Sequence, residues 1–314
     1  MILPNNRYQF SSRRSNPGRN RLLISVIAAT VIIATFIFWQ RSKISELFAR
    51  ETSPEITLDE LWGEKRYAEI NAQCEVNLID EPLQLQSLIY NGLAYFYRGV
   101  NQFSLEEKIA LIDKSIANLR KARILDPVDM SARIFYVLGK AYYYKGKYYA
   151  DLTIEYLTGA IANGYVGDDT YEYLGLAYSN IGDYAASAGS FSKAVEQNPT
   201  DMRNLALSQA YFNAGEIEQA ELHLISTIKD TVDPTIGQKS RFLLGKVYFE
   251  TDQLEKAEEQ YRHILSVNPQ SADAYFFLGE IYQKYDKNIE ARAEWRKALQ
   301  IDPSHYGARL RVYR

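Results

Sequence analysis

Two hydrophobic patterns organise this chain. The first is continuous: Leu22 to Trp39 reads LLISVIAATVIIATFIFW, 18 residues without a charge. The second is periodic. Leu-Gly-Lys-Ala-Tyr (138–142), Leu-Gly-Leu-Ala-Tyr (174–178), Leu-Gly-Lys-Val-Tyr (244–248) and Leu-Gly-Glu-Ile-Tyr (278–282) repeat one phrase. Leu and Tyr stand four apart in each, so they share one face of a helix. Aromatic and small residues return half a repeat later, and most units close on Asn-Pro or Asp-Pro, at 198–199, 233–234, 268–269 and 302–303. Proline cannot continue a helix. The pattern predicts helix–turn–helix units with a period in the thirties, stacked on one another rather than folded round one core.

The glycine of the phrase gives the register. Its equivalents are Gly92, Gly139, Gly175, Ser208, Gly245 and Gly279, spaced by 47, 36, 33, 37 and 34 residues. Glycine here lets two helices approach closely, at some expense in helix stability. The long first spacing predicts a longer helix or an added loop after Gly99. The unit around Ser208 is weaker, with Leu207, Tyr211, Gly215 and Ala220 but no Leu-Gly. A degenerate earlier unit runs through Leu61, Trp62, Tyr67, Ile70, Cys74 and Pro82, with a short first helix expected near 57–62. Ser304–Arg314 is expected to be too short for a full capping helix. Gly146 and Gly182 are expected to end first helices with positive φ.

These units resemble the tetratricopeptide repeat (TPR) family over about residues 57–303. Tyr171, Leu174, Gly175, Tyr178, Gly182, Tyr184, Phe191, Ala194 and Pro199 follow its pattern, with Ser187 in place of the usual Ala. So do Tyr275, Leu278, Gly279, Tyr282, Ala291, Trp295, Ala298 and Pro303. The resemblance implies an all-α, right-handed α-solenoid of about six to seven helix hairpins, with a groove lined by the first helix of each. Transferred by position, the protein-binding groove includes Phe96, Tyr97, Tyr136, Lys140, Tyr143, Tyr144, Ser179, Asn180, Phe212, Asn213, Phe242, Lys246, Phe249 and Phe276. Aromatic rings with amides and lysines suit a peptide segment or helix; the same rings could instead pack between repeats. In Tyr142-Tyr143-Tyr144 three consecutive rings cannot all face one core. The lysine of the family's carboxylate clamp is missing: its positions hold Ile89, Tyr136, Glu172, Leu205, Phe242 and Phe276. Chaperone-tail binding is therefore disfavoured.

The apolar run changes the picture. As a helix it is about 27 Å long, close to the hydrocarbon thickness of a bilayer. Arg21 and Arg41 bracket it, and Trp39 suits an interface. No A-x-A-like cleavage site and no lipobox cysteine follow it, so it reads as an uncleaved transmembrane anchor. Arg7, Arg13, Arg14, Arg19 and Arg21 precede it without an acid. The positive-inside rule then keeps 1–21 cytoplasmic and places the repeats outside the cytoplasm. The expected organisation is a basic tail 1–21, an anchor 22–39, a linker 40–54 and a solenoid 55–314, on a bacterial inner membrane with periplasmic repeats.

Charge and composition exclude more than they assign. A net charge of −3 with pI near 5.8 carries no nucleic-acid footprint. The single cysteine, Cys74, rules out an intramolecular disulfide or a cysteine zinc site; at its second-helix position it reads as a buried thiol. His223, His263 and His305 fall in different units, so no metal and no cofactor is expected. No P-loop, dinucleotide fingerprint or nucleophile motif supports an enzyme. The reading is a membrane-anchored scaffold for protein partners, in assembly of a cell-envelope complex. The alternatives are an organelle import receptor with cytosol-facing repeats, or an accessory subunit of a membrane enzyme. A homo-oligomer through the C-terminal repeat stays open.

Overall fold

The structure is a computed structural model that describes residues 56–125 and 131–313. Every regular element among them is helical. The basic tail, the apolar run 22–39 and the linker 40–54 lie outside the described residues. No helix among the described residues is long and apolar enough to cross a membrane.

Fifteen described α-helices follow one another in chain order. They are α1 (Leu58–Gly63), α2 (Tyr67–Asp80), α3 (Leu85–Val100), α4 (Leu105–Leu125), α5 (Ser131–Lys145), α6 (Ala150–Ala162), α7 (Thr170–Ile181) and α8 (Tyr184–Gln197). Then come α9 (Asp201–Ala214), α10 (Ile217–Asp230), α11 (Pro234–Glu250), α12 (Leu254–Val267), α13 (Ala272–Lys284), α14 (Asn288–Ile301) and α15 (Tyr306–Tyr313). A single 3₁₀ turn, Lys147–Tyr149, joins α5 to α6. Within residues 61–314 each helix from α2 on packs on the next. First helices also touch across hairpins, α3 with α5, α5 with α7 and α9 with α11, so they share a layer.

Close approach inside each hairpin explains the repeated glycine. A Cβ built at Gly175 would lie 2.7 Å from the Phe191 ring, one at Gly245 2.8 Å from Tyr261, and one at Gly279 2.4 Å from Trp295. Gly92 and Gly139 meet Leu119 and Leu157 in the same way, each at 2.6 Å. The large partners are almost wholly buried. Fully burying one such side chain contributes roughly 2–3 kcal/mol, more than the ~1 kcal/mol by which glycine weakens a helix interior. Ser187, in the place of the family's alanine, is buried and donates to the Gly175 carbonyl at 2.8 Å.

The turns obey one backbone rule. Seven residues after the glycine position the chain takes positive φ, at Gly182 (82°) and Gly215 (79°), which costs glycine little. The same place is Asp252 (58°), Asp286 (59°) and, in the degenerate first unit, Lys65 (57°). Aspartate tolerates this region better than most residues; nothing in the sequence of these three turns announced it.

Several helix starts are capped by side chains. Asp183, Thr200, Asp233 and Ser271 accept from backbone N–H groups of the first turns of α8, α9, α11 and α13. Asp233-Pro234 opens α11 rather than closing α10: Pro234 sits in the first turn, where its missing N–H is harmless. Thr57 and Glu60 cap α1 reciprocally, with Thr57 N–H donating to the Glu60 carboxylate at 2.9 Å and Glu60 N–H to the Thr57 hydroxyl at 3.2 Å.

Two expectations are refined. The extra length after Gly92 is a longer second helix, α4, of 21 residues against 14 in α8, α10, α12 and α14. The C-terminal stretch forms a short helix, α15, of eight residues. Ala308 is fully buried and Gly307 lies under the Phe276 ring. Arg311 clasps Glu280 at 2.9 and 2.6 Å.

The close contact yields a sign test. Gly279→Ala should lower stability by about 1–3 kcal/mol through overpacking, despite better helix propensity. Gly189→Ala, in α8 with nothing within 4 Å of its Cβ, should raise it by up to about 1 kcal/mol. Urea unfolding of both variants decides, and equal effects of either sign would contradict the packing account.

Candidate functional site

The groove residues expected from sequence fall into two groups on the first-helix layer. The N-terminal group centres on Lys140 of α5. Its ammonium lies 5.0 Å from the Tyr136 ring, 4.9 Å from Tyr173 and 5.9 Å from Phe96. It also donates to Asp169 at 2.6 Å, while the Tyr136 hydroxyl donates to the other oxygen at 2.5 Å. Asp169, just before α7, thereby ties α5 to the next hairpin. Tyr144 and Tyr173 share a hydroxyl hydrogen bond of 2.7 Å, and Tyr143 meets Tyr173 edge-on at 4.9 Å.

Burial sorts the expected residues. Phe96 is 3% exposed, covered by Tyr144 at 6.1 Å and by Lys140, so it is a core residue. Of the three consecutive tyrosines, Tyr142 is in the core and stacks on Tyr156 at 5.4 Å, while Tyr143 and Tyr144 are half-buried. Tyr97 is the more open ring, stacked on Tyr67 at 5.2 Å and touched edge-on by Trp62 at 5.7 Å. Ser179 is half-buried and Asn180 exposed; neither joins either group.

The C-terminal group is a true concavity. A cleft of about 520 Å³ is lined by Met202, Leu205, Gln209, Lys239, Phe242 and Lys246, with Asn268, Ser271 and Asp273 at one side. Phe242 and Lys246 were expected; the others were not. They follow a register: Met202, Lys239 and Asp273 stand six residues before the glycine position, Leu205 and Phe242 three before, Gln209 and Lys246 one after. Offsets of three and four place them on one helix face, a signal present in the sequence. Phe212 and Asn213 flank the cleft: Lys246 reaches to 5.8 Å from the Phe212 ring, and Asn213 accepts from Gln209 at 2.9 Å. Phe249 is covered by Lys284 at 4.4 Å, and Phe276 faces His305 at 5.0 Å.

A second cleft, of about 620 Å³, lies among α13, α14 and α15 and includes Phe276, Arg292, Trp295 and Arg311. Glu172, at a clamp position, pairs with the buried Arg203 at 3.0 Å, whose other donors go to the Asp168 and Asn198 carbonyls. That pair staples two hairpins. Cys74 is fully buried and burial raises its thiol to about 11, so it is poorly nucleophilic at neutral pH. Among the described residues no three His, Cys, Asp or Glu side chains converge on a metal position.

Tyrosine ionisation reports this packing. Burial first, then a hydrogen bond to Asp169, pushes Tyr136 well above the ordinary phenol range; burial and Tyr144 do so for Tyr173, and burial dominates for Tyr261. Unfolded tyrosines ionise near pH 10. The unfolded state thus releases its protons first, so this stabilisation is complete below about pH 10 and is lost above it. Phenolate absorbance should show a set of tyrosines that ionise only together with loss of helical circular dichroism. Titration of all tyrosines near pH 10 with helix intact would contradict the burial described.

Residues 169–311 match the family described as tetratricopeptide repeat-like domain. No curated protein matches the chain. Among solved structures, the C-terminal part of a TPR repeat-containing protein from Cytophaga hutchinsonii is 16% identical, with TM-score 0.59, covering 81% of this chain and 98% of that one. A structure of Naa15/Naa10 bound to HypK-THB is 17% identical, with TM-score 0.50, over 81% of this chain and 37% of that one. MamA from Desulfovibrio magneticus RS-1 is 18% identical, with TM-score 0.49, over 57% of this chain and 99% of that one. The chain therefore carries a tetratricopeptide repeat-like domain over residues 169–311, within an all-helical hairpin fold of the kind seen in TPR structures.

Proposed function

We propose that this protein is a membrane-anchored scaffold that holds a segment of a partner protein on its first-helix layer. The observation that carries the reading is the cleft around Phe242. Its floor is apolar, from Leu205, Phe242 and the buried Leu243 and Ile264, and its rim carries the exposed Met202 with Gln209, Lys239, Lys246 and Asn268. That is the arrangement a helix or extended segment needs: a pocket for one apolar anchor and hydrogen-bonding groups around it. The open aromatic surface at Trp62, Tyr67 and Tyr97 offers a second contact in the N-terminal hairpins.

The uncharged run 22–39, with arginines before it, supplies the anchor in this reading. It places 1–21 in the cytoplasm and the repeats on the periplasmic side of a bacterial inner membrane. A tethered cleft meets membrane-bound partners at raised effective concentration, which suits assembly of a cell-envelope complex. No catalytic step is assigned to the protein; it positions its partners.

Photo-crosslinking in cells tests this. Probes at Gln209 and Lys239, on the cleft, should give specific adducts identified by mass spectrometry, and a probe at the exposed Glu259 of α12 should give none. Equal adducts from all three sites, or none from the cleft, would overturn binding at this face. Protease accessibility of the repeats in spheroplasts, but not in intact cells, is expected from the orientation; digestion requiring lysis of the inner membrane would reverse it.

A further inference from the structure

The turns joining first to second helices differ in chemistry along the chain. Near the N-terminal end, the turns at 101–104 and 146–149 present Phe103, Leu105 and Tyr148, which are 105%, 67% and 87% exposed. The end of α5 lies beside the first half of α4: Lys145 bonds Asp113 at 2.7 Å, and Lys108 lies 5.8 Å from the Tyr144 ring. Lys147 lies 5.4 Å from the Tyr148 ring. The later turns are glycine or polar at the same place, as Gly182-Asp183, Gly215-Glu216, Asp252-Gln253 and Asp286-Lys287, with the exposed Ile289 just inside α14 as a lone apolar side chain beside the last. A bare phenylalanine beside an exposed leucine and tyrosine has no role in packing these hairpins.

We propose that this turn edge, formed by Phe103, Leu105 and Tyr148, dips into the interface of a phospholipid bilayer. The inference rests on the reading of 22–39 as an anchor. The chemistry fits lipid: Phe and Leu enter the acyl boundary, Tyr sits at headgroup level, and the stems of Lys108 and Lys147 carry their charges back to phosphate. Reach fits too. Residues 40–55 separate the run from the first described residue, and sixteen residues of chain reach at most about 55 Å. The hairpins that bear the apolar turns are the second and third of the chain, after the short first hairpin with its charged turn Glu64-Lys65-Arg66. Glu106 and Glu107 in the first turn of α4 offset the lysines, so the contact is apolar, needs no anionic lipid and changes little with salt.

The test uses the full chain reconstituted in phosphatidylcholine vesicles, with an environment-sensitive thiol probe at Phe103→Cys, Tyr148→Cys, Val31→Cys or Glu259→Cys. Cys74 is buried and stays unlabelled in the folded protein. Brominated lipid should quench the probes at 31, 103 and 148 several-fold more than the probe at 259, equally at low and high salt. Quenching at 31 alone overturns the turn-edge contact while leaving the anchor standing, and marks Phe103 and Tyr148 as free for a protein partner instead. No quenching at 31 overturns the anchor, and the turn-edge contact with it.

Discussion

The contact between a first-helix glycine and a large second-helix side chain governs this molecule. At Gly92, Gly139, Gly175, Gly245 and Gly279 the missing Cβ is the space into which Leu119, Leu157, Phe191, Tyr261 and Trp295 are driven. Each hairpin gains a nearly dry contact from it. The Tyr261 hydroxyl and Trp295 Nε1 are buried without a hydrogen-bond partner, a penalty of about 1–3 kcal/mol each that ring burial must offset. Because the contact is internal to a hairpin, stacking can proceed from unit to unit, and the face about a quarter turn round each first helix is left to meet something else.

That neighbouring face is where chemistry collects. Its residues are set by the same register, six and three before the glycine and one after it, so the close contact fixes both the core and the cleft. In the N-terminal hairpins the face is closed over by its own groups, with Lys140 held by Asp169 and three rings. In the C-terminal hairpins Lys239 and Lys246 stand round an open cleft instead. The next hairpin supplies an aspartate at the same register in both cases; Asp169 is taken by Lys140 and the Tyr136 hydroxyl, whereas Asp273 pairs with His305 and the place of Tyr136 is held by Phe242, which has no hydroxyl.

The hairpins were legible because close approach admits few residues, so Leu-Gly-x-x-Tyr recurs almost unchanged. Positive φ admits more. Gly182 and Gly215 were readable as turns, whereas Asp252, Asp286 and Lys65 adopt the same backbone without a glycine to mark it. The site was legible in part. Position along the helix picked Phe242 and Lys246 but not Met202 and Lys239, because the transferred positions begin three residues before the glycine position and those two stand six before it. It also picked Phe96, whose burial depends on Tyr144 and Lys140 from the following first helix, a contact between repeats separated by the long α4. The shortness of the last helix was legible from length, its seating was not: Ala308 and Gly307 let eight residues settle on α13 and α14.

The most direct test of the glycine contact is already drafted within the chain. Ser208 stands sixteen residues before Leu224, as Gly279 stands sixteen before Trp295, and both Ser208 and Leu224 are fully buried. A double-mutant cycle of Gly279→Ser with Trp295→Leu rebuilds that pair at the last hairpin. The account predicts strong coupling by urea unfolding: the serine destabilises next to Trp295 and is tolerated next to leucine, with an interaction of about 1–3 kcal/mol. Additive effects would show that the glycine and the ring do not depend on each other, and would contradict the account at its foundation.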